Sequence, residues 1–238
     1  MSTSAPLPDD LRTAAEHYFG DRLDLAARYA ELLATDGVVR GLIGPREVPR
    51  IWDRHLLNSV AMVELIGSDA TVADVGSGAG LPGIPLAIAM PDLDVQLVEP
   101  QLRRTTFLAE VVEALKLDRV TVVRARAEEA PRRMPQVDAV VARAVAPLGR
   151  LAEWCLPLAK VGGRLLALKG ASAAEEVAAQ RAAVRRAGGG EPVVLTCGNV
   201  LGQPATVVSV VRERAVASRS AVGRGPKRTW AGRSDRQR

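Results

Sequence analysis

The spacing of apolar positions changes character near residue 70. Ahead of it the spacing is helical. Leu11, Ala14, Ala15, Tyr18 and Phe19 form one stripe over Pro8–Phe19, with Asp9 and Asp10 in the first turn and Gly20 as the stop. The pattern repeats over Arg22–Thr35, ending at Gly37. After a loop with Gly41, Gly44 and Pro45 it predicts a third helix over Pro49–Leu65, closed by Gly67. From Thr71 short apolar runs alternate with helical stretches. Strands are predicted at Thr71–Val75, Asp94–Val98, Val120–Val123, Ala139–Ala142, Arg164–Ala167, Val193–Leu195 and Ala205–Val211. Helices are predicted at Pro82–Met90, Gln101–Leu115, Ala127–Glu129, Leu148–Leu158 and Ala173–Ala187. Such alternation implies a doubly wound α/β sheet. Only G-N-V-L-G-Q-P separates the last two strands, too short for a helical crossover, so they are expected to pair antiparallel. The chain divides into a helical N-terminal section (1–67) packed on the core, an α/β core (68–212) and a tail (213–238).

The organising stretch is Thr71–Ala87, T-V-A-D-V-G-S-G-A-G-L-P-G-I-P-L-A. Asp74 sits near the carboxyl end of an apolar strand. Gly76, Gly78 and Gly80 follow as a tight turn that lets the backbone approach a ligand. Ligands of open α/β sheets bind outside the carboxyl ends of the strands, beside free amides of a helix start. The letters satisfy two signatures. Gly78-x-Gly80-x-x-Gly83 fits a dinucleotide loop, and Gly76-x-Gly78-x-Gly80 fits a loop for S-adenosylmethionine (AdoMet). Glu99 ends the second strand, where a carboxylate can bind a ribose diol; both cofactors use that device. After the third strand, groups of Ala127 and Glu128 can reach an adenine edge. Arg143, at the mouth of the fourth strand, can meet a carboxylate or a phosphate with paired hydrogen bonds. Lys169 ends the fifth strand on the same rim, and Arg103 and Arg104 begin the helix after Glu99, facing phosphates or solvent; for a nucleic-acid partner these three would be the candidate RNA contacts. His55, beside Arg50, Trp52 and Arg54, reads as a structural helical histidine.

Composition narrows the partners. Of 238 residues 47% are hydrophobic but only 3% aromatic, so the core is built from Ala, Val and Leu. No apolar run reaches the roughly 18 residues of a membrane span. The N-terminus lacks the basic and apolar regions of a signal peptide. Cys155 and Cys197 lack metal-ligand spacing and read as reduced core thiols, which fits a cytoplasmic protein without a metal. The formal net charge is +5, which suits a polyanionic partner. Beyond Arg212 the cations Arg214, Arg219, Arg224, Lys227, Arg228, Arg233, Arg236 and Arg238 face only Glu213 and Asp235. This basic tail suits phosphate contact, with Lys227 and Arg228 as candidates and Trp230 able to stack on a base.

Some chemistry is missing from the letters. There is no [DNS]-P-P-[YFW] loop for an exocyclic amine, no Pro-Cys nucleophile, no metal cluster and no acid–base dyad. A methyl acceptor with an exposed lone pair, such as guanine N7, needs none of these, since transfer can run on proximity and alignment.

The chain resembles the bacterial small-subunit ribosomal RNA methyltransferase G family (RsmG, also called glucose-inhibited division protein B). The likeness is carried by W-D-R-H-L-L-N-S at Trp52–Ser59, D-V-G-S-G-A-G-L-P-G-I-P-L at Asp74–Leu86 and L-V-E-P-Q-L-R-R-T-T-F-L at Leu97–Leu108. V-V-A-R-A at Val140–Ala144 and L-A-L-K-G at Leu166–Gly170 extend it. It implies a class I AdoMet-dependent, Rossmann-like fold: a seven-stranded, mainly parallel sheet with an antiparallel last strand and a helical N-terminal extension. It implies methylation of guanine N7 in the decoding-region loop of 16S rRNA, on naked rRNA or the 30S subunit; a monomer is expected, with the oligomeric state left open by the sequence. By position Gly76 and Leu81 match cofactor contacts, Ala127 and Glu128 adenine-side contacts, and Arg143 the arginine after the fourth strand. Many members carry H-x-x-D-S where this chain has His55-Leu-Leu-Asn58-Ser59, so an essential aspartate is not implied there, and no catalytic residue is named. Three rivals remain: a small-molecule AdoMet methyltransferase, a non-catalytic RNA-binding assembly factor, and an NAD-dependent reductase.

Overall fold

The computed structural model describes residues 5–143 and 146–216. Strands β1 (Thr71–Val75), β2 (Asp94–Val98), β3 (Val120–Val123), β4 (Val137–Arg143), β5 (Ala159–Lys169), β6 (Val193–Cys197) and β7 (Ala205–Val211) form one sheet in the order β3-β2-β1-β4-β5-β7-β6. The first five run parallel, and β7 runs antiparallel to both β5 and β6. The short G-N-V-L-G-Q-P link dictates that pairing. Both ends of β4 and β5 extend beyond the predicted spans. Gly162 and Gly163 lie inside β5, whose pairing with β4 shifts register between Val137 and Ala139.

Helices α4 (Gly83–Ala89), α5 (Leu102–Ala114), α6 (Leu148–Cys155) and α7 (Ala173–Arg186) cover the faces. The central strands β1, β4 and β7 are buried on both faces, which explains their near-continuous apolar runs, while the edge strand β6 is largely exposed. Successive side chains divide between two cores. Ala139 and Val141 of β4, with Leu166 and Leu168 of β5, join the first core. Their neighbours Val140 and Ala142, with Leu165 and Ala167, join the second, beneath α6 and α7.

The N-terminal section is a run of short helical pieces. α1 (Arg12–Phe19) and α2 (Leu23–Leu32) follow the predicted stripes. The third predicted helix starts earlier, at Pro45. It runs as 3-10 turns to Arg50, a π-helix over Ile51–Leu57, α3 (Asn58–Val60) and a 3-10 turn to Leu65. The wider π-turn keeps Ile51, Trp52, His55, Leu56 and Leu57 buried while Asp53 and Arg54 stay exposed. Tyr29, Leu33, Ile51 and Leu56 share the first core with Ile84, Leu97 and Phe107. Burying each such side chain contributes about 1.5–3 kcal/mol, so this section is part of the sheet's own core. In place of the predicted short helix after β3 there is a turn at 127–129, then a 3-10 turn at Ala130–Arg132 with Pro131 in its first turn.

Candidate cofactor and nucleic-acid site

Register brings the predicted site together. Val75 lies beside Val98, which lies beside Val123. The glycine turn, Glu99 and the Ala127–Glu128 turn therefore emerge along one edge, and Arg143 ends the neighbouring β4 on the same edge.

The turn is built on backbone geometry that side chains disfavour. Gly76, Gly78 and Gly80 take φ of 73°, 60° and 102°. A Cβ on Gly80 would lie 2.5 Å from Ile84 Cγ1 and 3.0 Å from the Tyr29 hydroxyl, and one on Gly83 would meet Leu97 and Asp74. The amides of Gly76 and Ser77 donate to the Val98 carbonyl at 2.9 and 3.2 Å, tying the turn to β2. Tyr29, fully buried on α2, donates its hydroxyl to the Ala79 carbonyl at 2.8 Å. Tyr29 lies within the predicted Arg22–Thr35 helix, and the sequence held no local sign of that partner.

Two carboxylates lie beneath the turn. Asp74 Oδ2 accepts from Ser77 Oγ (2.6 Å) and from the Gly83 amide (2.9 Å), while Asp74 Oδ1, fully buried, has no partner. Burial pushes the Asp74 carboxyl up to about 6, against the pull of Ser77, Gly83 and Arg143. Glu99, 1% exposed, accepts from the amides of Gly78 (3.1 Å) and Gln101 (3.0 Å) and from Arg104 at 3.4 Å. The start of α4 is not open to a phosphate, because Gly83 N–H goes to Asp74 and Ile84 N–H to Gly80. With those donors used, a pyrophosphate would lack the helix-start amides that a dinucleotide loop supplies, which favours AdoMet over NAD, an ambiguity that the glycine spacing leaves open.

Leu81 is buried behind the turn, Ala127 is half-buried and Glu128 is exposed. Arg103 is exposed at the start of α5, while Arg104 leans back on Glu99. Lys169 has inward partners: Nζ donates to Glu176 (2.8 Å) and to the Ala146 carbonyl (3.0 Å), and its side chain is 10% exposed. Glu176 also receives the Leu148 amide at 2.6 Å, so Lys169 braces the starts of α6 and α7. Lys227, Arg228 and Trp230 lie outside the described residues.

The structure also joins residues that the sequence left apart. Arg143 Nη2 donates to His55 Nδ1 at 2.7 Å, and Arg143 Nη1 to the Arg54 carbonyl at 3.3 Å. His55 Nε2 lies 2.9 Å from Glu47 Oε2. Sequence reasoning passed over Glu47, which sits in a loop-like stretch between two prolines. Burial and the Arg143 charge lower the His55 pKa, opposed by Glu47. Among the described residues no cluster could hold a metal ion, and no helix is long and apolar enough to cross a membrane.

The chain is similar to known proteins in sequence and in fold. The rRNA small subunit methyltransferase G family matches residues 22–207. The ribosomal RNA small subunit methyltransferase G of Salinispora tropica is 61% identical over 91% of this chain and 92% of its own. The same enzyme of Streptomyces coelicolor is 52% identical over 100% and 98% of the two chains. Among solved structures, a candidate S-adenosyl-L-methionine-dependent methyltransferase of Methanococcus maripaludis shares the fold. It has a TM-score of 0.53 at 14% identity over 76% of this chain and 92% of its own.

Proposed function

The chain belongs to the rRNA small subunit methyltransferase G family, and on that premise we propose that it transfers a methyl group from AdoMet to N7 of a guanine in the decoding-region loop of 16S rRNA. One observation supports the cofactor half above the rest: the positive-φ glycine turn lies over two buried carboxylates, Asp74 and Glu99.

When bound, AdoMet supplies an electrophilic methyl on a sulfonium. The turn admits it because Gly76, Gly78 and Gly80 leave backbone where side chains would stand. Glu99 holds the Gly78 amide and keeps acceptor capacity on Oε1 for a ribose hydroxyl. Leu81 packs behind the turn, and Ala127 and Glu128 border the adenine side. Asp74 fixes the turn through Ser77 and Gly83 and adds negative potential. Arg143 stands at the rim by the methyl donor, with Arg103, Arg104 and the basic tail as RNA contacts.

With AdoMet bound, the N7 lone pair of guanine would form the new N–C bond as the methyl C–S bond breaks to leave S-adenosylhomocysteine; N7 carries no proton to lose, so no base is required. The nearest imidazole is unsuited to act as one: the lone pair of His55 is already taken by Arg143. The rate is then a matter of in-line alignment and of excluding water. Substrate choice tests the reading. The protein should bind AdoMet but not NAD, and should methylate 30S subunits while leaving 50S subunits and small acceptors unlabelled. NAD binding without AdoMet binding, or transfer to small acceptors alone, would contradict it.

A further inference from the structure

Glu47, His55 and Arg143 form one chain of contacts from the N-terminal section to the mouth of β4. Arginine has no acceptor atom. The 2.7 Å contact from Arg143 Nη2 therefore requires His55 Nδ1 to be unprotonated. In the neutral ring the proton then resides on Nε2, which faces Glu47 Oε2 at 2.9 Å. Glu47 is itself held, since Arg54 Nη1 reaches both its oxygens at 3.3 Å. Arg54 also offers its backbone carbonyl to Arg143 Nη1. Two guanidinium donors are thus anchored by consecutive residues of the π-helix, and the remaining donors are left for a ligand at the rim. His55 is 6% exposed, so the ring cannot trade these partners for water.

We propose that Glu47 and His55 are positioning residues: Glu47 selects the His55 tautomer whose Nδ1 accepts from Arg143, and the pair thereby aims the Arg143 guanidinium at an anionic group in the cofactor cleft. The inference rests on the function proposed above. The anionic oxygens belong either to the cofactor carboxylate or to an RNA phosphate, and Arg143 meets both with the same paired donors. The helical section then does more than bury apolar surface. It sets the angle of an arginine borne by the sheet.

The groups facing the ring are Glu47, Arg54 and Arg143, and the charge of Asp74 also reaches Arg143, while the buried Tyr29 nearby is neutral. Protonation of His55 fills Nδ1 and breaks the contact with Arg143, so activity should fall on the acid side. Glu47 favours the imidazolium. Replacing it by Gln should move that acid limb to lower pH while keeping an amide oxygen for Nε2–H.

The direct test is a long-range proton–nitrogen NMR spectrum of the full chain labelled with 15N-histidine. The chain has two histidines, His17 and His55, so His55→Gln assigns the signals. At pH 7.5 His55 should show a bare Nδ1 and a protonated Nε2. Methyl transfer to 30S subunits should fall about 10-fold or more in Glu47→Ala and His55→Gln and stay near wild type in Glu47→Gln, with Tm held within a few degrees. A raised Kd for AdoMet in the impaired variants identifies the carboxylate as the target of Arg143; a raised KM for 30S with unchanged Kd identifies a phosphate. Either supports the proposal. A protonated Nδ1 in the wild type, or full activity in Glu47→Ala, overturns it. If the wild-type protein methylates no RNA, the functional reading fails, while the NMR spectrum still decides the tautomer.

Discussion

Asp74 carries an electrostatic cost that experiment can isolate. Its carboxyl is buried, one oxygen is unpaired, and its pKa is raised to about 6. A raised folded pKa means that the folded state binds more protons than the unfolded chain between about pH 4 and pH 6. Stability should therefore fall as pH rises through that window, by about 3 kcal/mol in all. Asn at this position keeps an acceptor for Ser77 and Gly83 and cannot ionise. The urea midpoint of Asp74→Asn should lack the decline that the wild type shows, and parallel pH profiles would contradict this reading. Tyr29→Phe removes the hydroxyl that holds the Ala79 carbonyl and leaves its packing in place. It should cost about 1 kcal/mol in chemical denaturation and weaken AdoMet binding by loosening the turn. Gly80→Ala should be harsher, because the new methyl meets Ile84 and Tyr29 at a φ of 102°. Strain of about 1–3 kcal/mol is expected, with AdoMet binding lost in calorimetry.

Elements decide how much could be read in advance. The strands were legible because a sheet covered on both faces needs runs such as Thr71–Val75 and Ala205–Val211, and the antiparallel β6–β7 pair followed from a seven-residue link. The positive-φ glycine turn and the place of Glu99 beside it were legible because tight turns and strand ends leave local marks. Tyr29, Glu47 and the His55–Arg143 contact were not. Each depends on a partner 50, 8 or 88 positions away, and a helical stripe looks the same whether its tyrosine hydroxyl is free or bonded. Lys169 shows the converse. Its place on the rim was readable, but Glu176, seven residues on, captures it. The N-terminal pieces share their core with α4 and α5. Deleting residues 1–67 should expose that core and give a chain with no near-UV circular dichroism signal and no cooperative melting. A truncated protein that melts sharply would show the section to be dispensable.

At the scale of the whole molecule, charge and fold serve one encounter. On the proposed reading the carboxyl edge of the sheet holds the cofactor, and the net charge of +5 suits a polyanionic partner. Residues 217–238 contribute seven arginines and lysines against Asp235 alone. Removing them should weaken binding to 30S subunits and flatten its dependence on salt, with AdoMet affinity unchanged; an unaltered salt slope would place the RNA contacts wholly on the folded core. The central claim is a methyl group on guanine N7, and it has one direct test. Labelled AdoMet is incubated with the protein and 30S subunits from cells lacking it, the 16S rRNA is digested, and the nucleosides are separated. The account predicts label in 7-methylguanosine and in no other nucleoside. Label in a different nucleoside, or none in RNA while AdoMet still binds, would contradict it.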